Sequence, residues 1–127
     1  MTDADTRAIM ALLGRYAHYL DTAQFDEVAR LWTDDGILLV FGRTIVGFDA
    51  LREFFAGAVT GKHLGGVPII DLDGDTARVQ SDFAFWRGSD LLLFSAGYYI
   101  DNVARAEDGW RFASREIVIE HRRRSHE

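Results

Sequence analysis

The sequence contains no cysteine, a single proline and only four histidines among 127 residues. The absence of cysteine excludes disulfide bonds, thiolate nucleophiles and cysteine-ligated zinc. Basic residues are few as well: 14 Lys and Arg face 20 Asp and Glu, which gives a net charge of -6. Because nucleic-acid binding draws its affinity from clustered Lys and Arg, we expect no nucleic-acid partner.

The N-terminus, MTDADTRAIM, lacks both a basic start and an apolar segment of signal-peptide length. We therefore expect neither export nor membrane insertion, and we predict a cytoplasmic protein. The only basic run, His121 to Arg124, is interpreted as a solvated tail rather than as an anion or membrane anchor. The length and the 48% hydrophobic content suit one compact domain over residues 1–127.

Hydrophobic residues recur at helical spacing in the first half of the chain, where they predict a helix from about Asp5 to Leu20. A shorter helix is predicted around Phe25 to Trp32, and a third over Asp49 to Gly61. Two short strands, GILLVF and RTIVG, separate the second helix from the third.

From His63 onward the pattern alternates with period two and predicts four strands. They are His63 to Asp71, Thr76 to Arg87, Leu91 to Arg105 and Trp110 to Arg122, joined by the turns DGD, GSD and EDG. About three helices followed by long strands predict an α+β fold, with the helices packed on one face of a strongly curved, mostly antiparallel sheet.

A bent sheet closed by helices leaves a cone whose open end admits a small molecule. Aromatic residues on the strands favour a hydrophobic ligand, but alternation does not tell which sheet face points inward. Because both faces carry aromatics, we expect a second subunit to cover the outer face, which predicts a homo-oligomer.

Asp21 lies where the first helix ends, an unfavourable place for a negative charge because the helix dipole is negative there. One interpretation is that Asp21 caps the second helix. The other is that it faces His63 at the start of the first long strand. An Asp bonded to one imidazole nitrogen would leave the other nitrogen free as a base near neutral pH. Spacing alone leaves both interpretations open.

Five segments carry a family resemblance: RYAHYLDTAQFDEVARLWTDDG, IVGFDALREFF, KHLGG, DLDGDTARVQS and GYYIDNVARAEDGWRFASR. Together they resemble the SnoaL-like branch of the nuclear transport factor 2-like superfamily over almost the whole chain. The resemblance implies a cone of three helices against a curved mixed sheet, often dimeric or trimeric. Dehydratases, isomerases, cyclases, dehydrochlorinases and noncatalytic modules all use this fold.

Two catalytic patterns within the superfamily can be compared with this chain. Ketosteroid isomerases carry a first-helix tyrosine, which Tyr16 matches, but their base falls near Val40, which cannot accept a proton. Scytalone dehydratase and hexachlorocyclohexane dehydrochlorinase use an Asp and a His that Asp21 and His63 match. The dehydrochlorinase's strand arginine resembles Arg105, although a structural pair between Arg105 and Asp101 is the favoured expectation.

The resemblance and the residues together predict a cofactor-independent dehydratase, isomerase or cyclase acting on a small polyketide-, terpenoid- or aromatic-like substrate. Asp21, His63 and Tyr16 are the predicted catalytic residues. The predicted substrate-binding residues are Tyr19, Phe41, Phe55, Phe83, Trp86, Tyr99 and Arg105. We expect no metal, because His18, His121 and His126 lack ligand spacing with His63. The alternative is a noncatalytic module that binds a hydrophobic ligand or serves in assembly, and it is favoured if a filled core surrounds the Asp and His.

Overall fold

The computed structural model of the protein describes residues 3–88 and 92–123. Its helices are α1 (Asp3–Asp21), α2 (Phe25–Ala29) and α3 (Phe48–Ala56). Its strands are β1 (Trp32–Val40), β2 (Arg43–Val46), β3 (Gly61–Gly65), β4 (Ile69–Asp73), β5 (Thr76–Arg87), β6 (Leu92–Ala106) and β7 (Gly109–Arg122). Ser89 and Asp90 of the predicted GSD turn and Leu91, the predicted start of the next strand, lie outside the described residues, as do Arg124 of the predicted basic tail and His126.

The strands form one seven-stranded sheet in the order β2-β1-β7-β6-β5-β3, with β4 pairing with β5 beside β3. β1 runs parallel to β7 and the other pairs are antiparallel. Register shifts interrupt the long strands at Phe85/Trp86, Ala96/Gly97 and Asn102/Val103. Such bulges bend a strand and increase its twist, so they account for the curvature of the sheet. The predicted α+β class and its curved mixed sheet are confirmed.

The helices pack on the concave face of this sheet through narrow apolar stripes. α1 buries Ile9, Leu12 and Tyr16 at the spacing of one helical face and packs against β3 and β7. α3 buries Leu51 and Phe55 against β1 and β2. The buried side chains of helices and strands join in one hydrophobic cluster.

Several predicted boundaries are wrong. α2 ends at Ala29, and Trp32, the predicted end of that helix, is instead the first residue of β1, four residues before the predicted strand GILLVF. The other two errors lie beside the predicted histidine. α3 ends at Ala56 instead of continuing to Gly61, so β3 begins two residues before His63. The predicted strand from His63 to Asp71 is divided into β3 and β4, which pair with different parts of β5. Pro68 lies between them, and a proline cannot donate a ladder hydrogen bond.

Candidate active site

A cavity of about 720 Å³ lies between the helices and the concave face of the sheet. Its walls come from the end of α1, from α3 with the segment after it, and from strands β1 to β3 and β5 to β7. The lining is largely apolar and aromatic, with Phe54, Phe55, Phe83, Phe85, Phe94 and Tyr99 among its members. Such a volume accommodates a small organic molecule.

Asp21 and His63 meet in the wall of this cavity. Asp21 Oδ1 lies 2.6 Å from His63 Nδ1, and Asp21 Oδ2 accepts a hydrogen bond of 2.9 Å from the His63 backbone N–H. The Asp21 side chain is 6% exposed and that of His63 is 17% exposed. Asp21 therefore does not cap α2, whose N-cap residue is Gln24. The partner of Asp21 is thus His63, and Lys62 Nζ also lies 3.6 Å from Asp21 Oδ2.

One glycine makes this juxtaposition possible. A Cβ at Gly61 would stand 2.0 Å from the carbonyl oxygen of Trp86 and about 3 Å from the ring of Phe85. Only glycine allows β3 to pair so closely with β5 at this point. Since His63 follows two residues later, the close pairing sets how far the imidazole reaches toward α1. Gly65 and Gly66 meet no such crowding, because their nearest contacts are 3.9 and 3.5 Å away.

The hydrogen bond to Asp21 fixes the tautomer of His63. A carboxylate can only accept, so the proton of the neutral imidazole resides on Nδ1, and Nε2 keeps its lone pair. Burial lowers the pKa of His63 below its usual 6.5, and the hydrogen bond and charge of Asp21 partly oppose this effect. The imidazole is therefore neutral at pH 7 and can accept a proton.

Tyr16 and Tyr99 stand next to the pair and line the same cavity. The Tyr16 ring centroid is 6.2 Å from that of His63 and 5.6 Å from that of Tyr99. Burial raises the pKa of both phenols, with Arg115 opposing the rise. Both hydroxyl groups thus stay protonated at neutral pH, and the two phenols are hydrogen-bonded to each other.

Behind the two tyrosines lies a buried ion pair that the sequence reasoning missed. Arg115 donates to Asp101 twice, at 2.7 and 3.0 Å, and the two residues are 1% and 0% exposed. The guanidinium carbon of Arg115 stands 4.2 Å from the ring centroid of Tyr16 and 3.6 Å from that of Tyr99. Its Nη1 is buried with no hydrogen-bond partner among the described residues. A positive charge is thus fixed against both phenols.

The alternation of inward and outward side chains along β6 and β7 indicates this ion pair from the sequence. Arg115 has the same phase along β7 as Ile117 and Ile119, which line the cavity, and Asp101 has the same phase along β6 as Tyr99. Two opposite charges at inward positions of paired strands, with Cα atoms in register, predict a buried salt bridge.

The predicted substrate-binding residues divide into two groups. Phe41, Phe55, Phe83 and Tyr99 line the cavity, whereas Tyr19, Trp86 and Arg105 line neither it nor a smaller cavity beside it. Trp86 lies on the opposite sheet face from Phe83, because side chains alternate along β5. On α1, Leu20 lines the cavity in place of Tyr19, because Leu20 comes one turn after Tyr16 on the same helix face.

The two expectations for Arg105 are wrong. Arg105 pairs with Asp5 at 2.9 Å and with Asp75 at 3.0 Å, while Asp101 is occupied by Arg115. Asp5 is in the first turn of α1, and Asp21 is sixteen residues further along the same helix, about 24 Å away at 1.5 Å per residue. Arg105 is therefore a structural contact at the far end of the domain.

The sequence reasoning also missed residues of the cavity wall. The ring centroid of Phe85 is 4.4 Å from that of His63, and Phe94 packs edge-on against Phe85. Arg122, predicted to belong to a solvated tail, is the last residue of β7 and lines the cavity. Because Phe83 and Phe85 are two residues apart on β5, their side chains point to the same face. Phe85 was therefore predictable as a wall residue once Phe83 was chosen.

A smaller cavity of about 220 Å³ lies on the other side of the pair, between α1 and the segment that connects β3 to β4. Four side chains line both cavities and so form the partition between them: Tyr16, His63, Phe83 and Tyr99. In the described parts of the chain, no three His, Cys, Asp or Glu side chains are grouped to hold a metal ion. Likewise, no described helix is long and apolar enough to cross a membrane.

Comparison with known proteins identifies a family that matches the sequence of this chain. The SnoaL-like domain family matches residues 2–116. An uncharacterised protein of Mycobacterium tuberculosis is 27% identical over 124 residues, which covers 88% of this chain and 83% of that protein.

Solved structures agree on the fold. A protein of unknown function from M. tuberculosis superposes with a TM-score of 0.88 at 26% identity, covering 94% of this chain and 79% of that one. A protein from Novosphingobium aromaticivorans, whose name proposes scytalone dehydratase activity without establishing it, superposes with a TM-score of 0.80. The two sequences are 22% identical, and the superposed part covers 93% of this chain and 85% of that one.

Proposed function

The chain belongs to the SnoaL-like domain family, and from that premise we propose that it is a cofactor-independent enzyme of the dehydratase, isomerase or cyclase type. The observation that carries the proposal is the 2.6 Å contact between Asp21 Oδ1 and His63 Nδ1 in the wall of an open apolar cavity. A pair enclosed by a filled core would have favoured a noncatalytic module.

In the proposed mechanism, Nε2 of His63 acts as the general base. It removes a proton from a carbon next to an electron-withdrawing carbonyl or aromatic ring. In a dehydration, the electron pair of that C–H bond forms the new double bond, and the C–O bond on the neighbouring carbon breaks. The imidazolium then gives its proton to the departing hydroxide, which leaves as water. In an isomerisation, the same proton returns to a different carbon.

Asp21 has two roles in this scheme. It holds the imidazole in the tautomer with Nε2 free, and its negative charge stabilises the imidazolium that forms when His63 takes the proton. The second bond, donated by the His63 backbone N–H to Oδ2, fixes the strand that carries the ring. Rotation of the imidazole away from the cavity would break the contact to Oδ1.

Tyr16 is the proposed hydrogen-bond donor to the substrate oxygen on which negative charge develops. Its ring borders both His63 and the cavity. Burial raises the pKa of Tyr16 and the buried charge of Arg115 limits that rise, so the phenol is a better donor than it would be without the arginine. Arg115 is thus a positioning residue, since it acts through Tyr16 and Tyr99.

The cavity favours a small hydrophobic substrate of polyketide, terpenoid or aromatic type. Phe83 stacks on Tyr99 with 4.6 Å between ring centroids, and Phe85 lies against His63. These flat surfaces suit a planar ring that carries an oxygen substituent. We further propose that the protein is cytoplasmic.

We further propose that the protein forms a homo-oligomer, a dimer or a trimer, through the convex face of the sheet. That face carries four half-buried apolar residues on β5, β6 and β7: Trp86, Tyr98, Ile100 and Val118. The helices pack on the other face, so a second copy is the cover that we expect here. Sedimentation equilibrium measures the oligomeric state, and a monomer at micromolar concentration would contradict this proposal.

The noncatalytic alternative has one observation in its favour. Because Asp21 also binds the His63 backbone, the pair would be retained as a tie between α1 and β3 even in a domain that only binds a ligand. Turnover distinguishes the two. The wild type, His63→Ala and Asp21→Asn are assayed against a panel of β-hydroxy ketones, epoxides and polyketide-like phenols.

We expect at least one compound of the panel to be converted by the wild type, and the rate to fall in both variants. His18→Ala is the matched control, because His18 is exposed on α1 and lines neither cavity. Full rates in both site variants would contradict the proposed mechanism. Binding of panel compounds without any conversion would favour the noncatalytic module.

A further inference from the structure

The mouth of the large cavity carries positive charge, although the chain as a whole is acidic. Arg43 on β2 and Arg122 at the end of β7 both line the cavity, and both are exposed. Within the described ranges, neither forms an ion pair with a carboxylate. The lining carboxylates are Asp21, which is bonded to His63, and Glu53 on α3. Two guanidinium groups thus have their charge available at the entrance.

Aromatic rings of the same entrance hold these guanidinium groups in place. Arg43 lies over the ring of Phe54 at 5.5 Å, and Arg122 lies over Phe41 at 5.0 Å and Phe94 at 5.5 Å. Stacking of this kind occupies the flat face of a guanidinium and leaves its N–H edges for an acceptor. Because the groups are already ordered, less conformational entropy is lost when a ligand binds to them.

The hairpin turn between β1 and β2 gives a second, independent indication of function at this entrance. Val40 pairs with Arg43, so the turn consists of Phe41 and Gly42, which have φ angles of +54° and +70°. Turns of this type favour Asn-Gly, and a bulky residue in the left-handed region is strained. Phe41 is also 57% exposed. Strain of this kind collects at ligand-binding sites, and here it keeps the ring under Arg122 at the entrance.

We propose that Arg43 and Arg122 recognise a carboxylate on the substrate, so that the substrate class is a hydrophobic carboxylic acid. The inference rests on the proposed function, because the apolar body of that acid must reach His63. A carboxylate is planar and matches the paired N–H groups of a guanidinium, whereas a neutral oxygen receives no charge-assisted bond. The acid group would be held at the mouth while the reacting carbon lies deeper, beside the partition formed by Tyr16, His63, Phe83 and Tyr99.

Binding of three matched probes tests this inference. The probes are 2-naphthoate, its neutral isostere 2-naphthamide, and 2-naphthyl phosphate, each titrated at pH 7.5 with naphthalene fluorescence as the signal. Arg43→Gln and Arg122→Gln remove one charge each. The control is Arg78→Gln, which removes the same charge from the convex face of β5, where Arg78 is exposed.

We expect the wild type to bind 2-naphthoate more tightly than 2-naphthamide. Each of the two site variants should weaken 2-naphthoate binding by about two- to fivefold, the range of a solvent-exposed ion pair, and leave 2-naphthamide unchanged. Salt at about 0.5 M should remove most of the preference, because the Debye length falls to a few ångströms. Arg78→Gln should change neither probe.

The outcomes separate this inference from the function on which it rests. Equal affinity for 2-naphthoate and 2-naphthamide, or an equal loss in Arg78→Gln, would overturn the carboxylate site and leave the hydrophobic cavity and its Asp-His pair intact. Tighter binding of 2-naphthyl phosphate than of 2-naphthoate would overturn the choice of a carboxylate. If no probe binds, both the inference and the proposed hydrophobic substrate are wrong.

Discussion

Asp21 and His63 are joined twice, by a contact of 2.6 Å from Oδ1 to Nδ1 and by a bond of 2.9 Å from the His63 backbone N–H to Oδ2. One carboxylate thus fixes both the ring and the strand that carries it. Asp21, at the end of α1, and His63, the third residue of β3, are separated by 42 positions in sequence. A single substitution at Asp21 should therefore alter both the chemistry and the local structure of the site.

The pH dependence of turnover should follow the ionisation of His63. Burial holds the pKa of His63 below 6.5, so the base is neutral and kcat/KM is at its maximum above that value. As the pH falls through the lowered pKa, the imidazole becomes protonated and kcat/KM decreases. An acid limb with a midpoint above 6.5 in the pH profile would contradict this prediction.

Asp21→Asn should move that acid limb to lower pH. The hydrogen bond and charge of Asp21 raise the pKa of His63, and an amide supplies no such charge, so the pKa should fall further. NMR titration of the imidazole C–H signals measures the shift without any substrate. The rate should fall as well, because the ring loses its fixed tautomer. An unchanged pKa would mean that the carboxylate does not act on the ring.

Tyr16→Phe should lower kcat by about 100-fold, the effect of removing one donor to a developing negative charge. The ring and its packing remain, so KM and the free energy of unfolding should change little. Tyr19→Phe is the matched control, because Tyr19 lies three residues further along α1 and lines neither cavity. A loss of stability that accounts for the loss of rate would assign Tyr16 a structural role only.

Arg115→Met should destabilise the fold by about 3–5 kcal/mol in urea denaturation. The substitution leaves the buried carboxylate of Asp101 without its partner. Removing both charges with Arg115→Met and Asp101→Leu should recover much of that loss. As a control, Arg52→Met breaks the exposed pair with Asp26 and should cost at most about 1 kcal/mol. Equal costs for the two arginines would contradict a buried pair.

Gly61→Ala should destabilise the domain by about 1–3 kcal/mol and displace β3 from its place beside β5. The new Cβ would meet the carbonyl oxygen of Trp86 at 2.0 Å. Gly65→Ala, in the same strand, has its nearest contact at 3.9 Å and should be within about 0.5 kcal/mol of the wild type. Since His63 moves with β3, only Gly61→Ala should also lower turnover.

The regular parts of this fold are predictable from the sequence. The apolar stripe of Ile9, Leu12 and Tyr16 predicts α1, and strict alternation predicts the bounds of β5 as they are found. These elements are set by local periodicity, which the sequence displays directly. Asp21 and His63, proposed as a pair from family resemblance and local chemistry, do meet in the cavity wall.

Contacts that depend on tertiary placement were harder to predict. Trp86 was predicted to line the cavity because alternation along β5 gives two faces but does not tell which one is concave. The face on which the helices pack decides this, and it is the face of Phe83. The side chain of Arg105 is 42% exposed and that of Arg115 is 1% exposed, yet both are arginines on long strands. Both also have the inward phase of their strands, so alternation alone does not separate them; Arg105 differs in lying one residue before the end of β6.

Chemical rescue tests the central claim most directly. The measurement is the turnover of His63→Ala with and without added imidazole, on whichever panel compound the wild type converts. We predict a loss of about 100-fold or more without imidazole and a partial recovery with it, because the vacated space beside Asp21 can admit the free base. Full turnover by His63→Ala without imidazole would contradict the assignment of His63 as the general base.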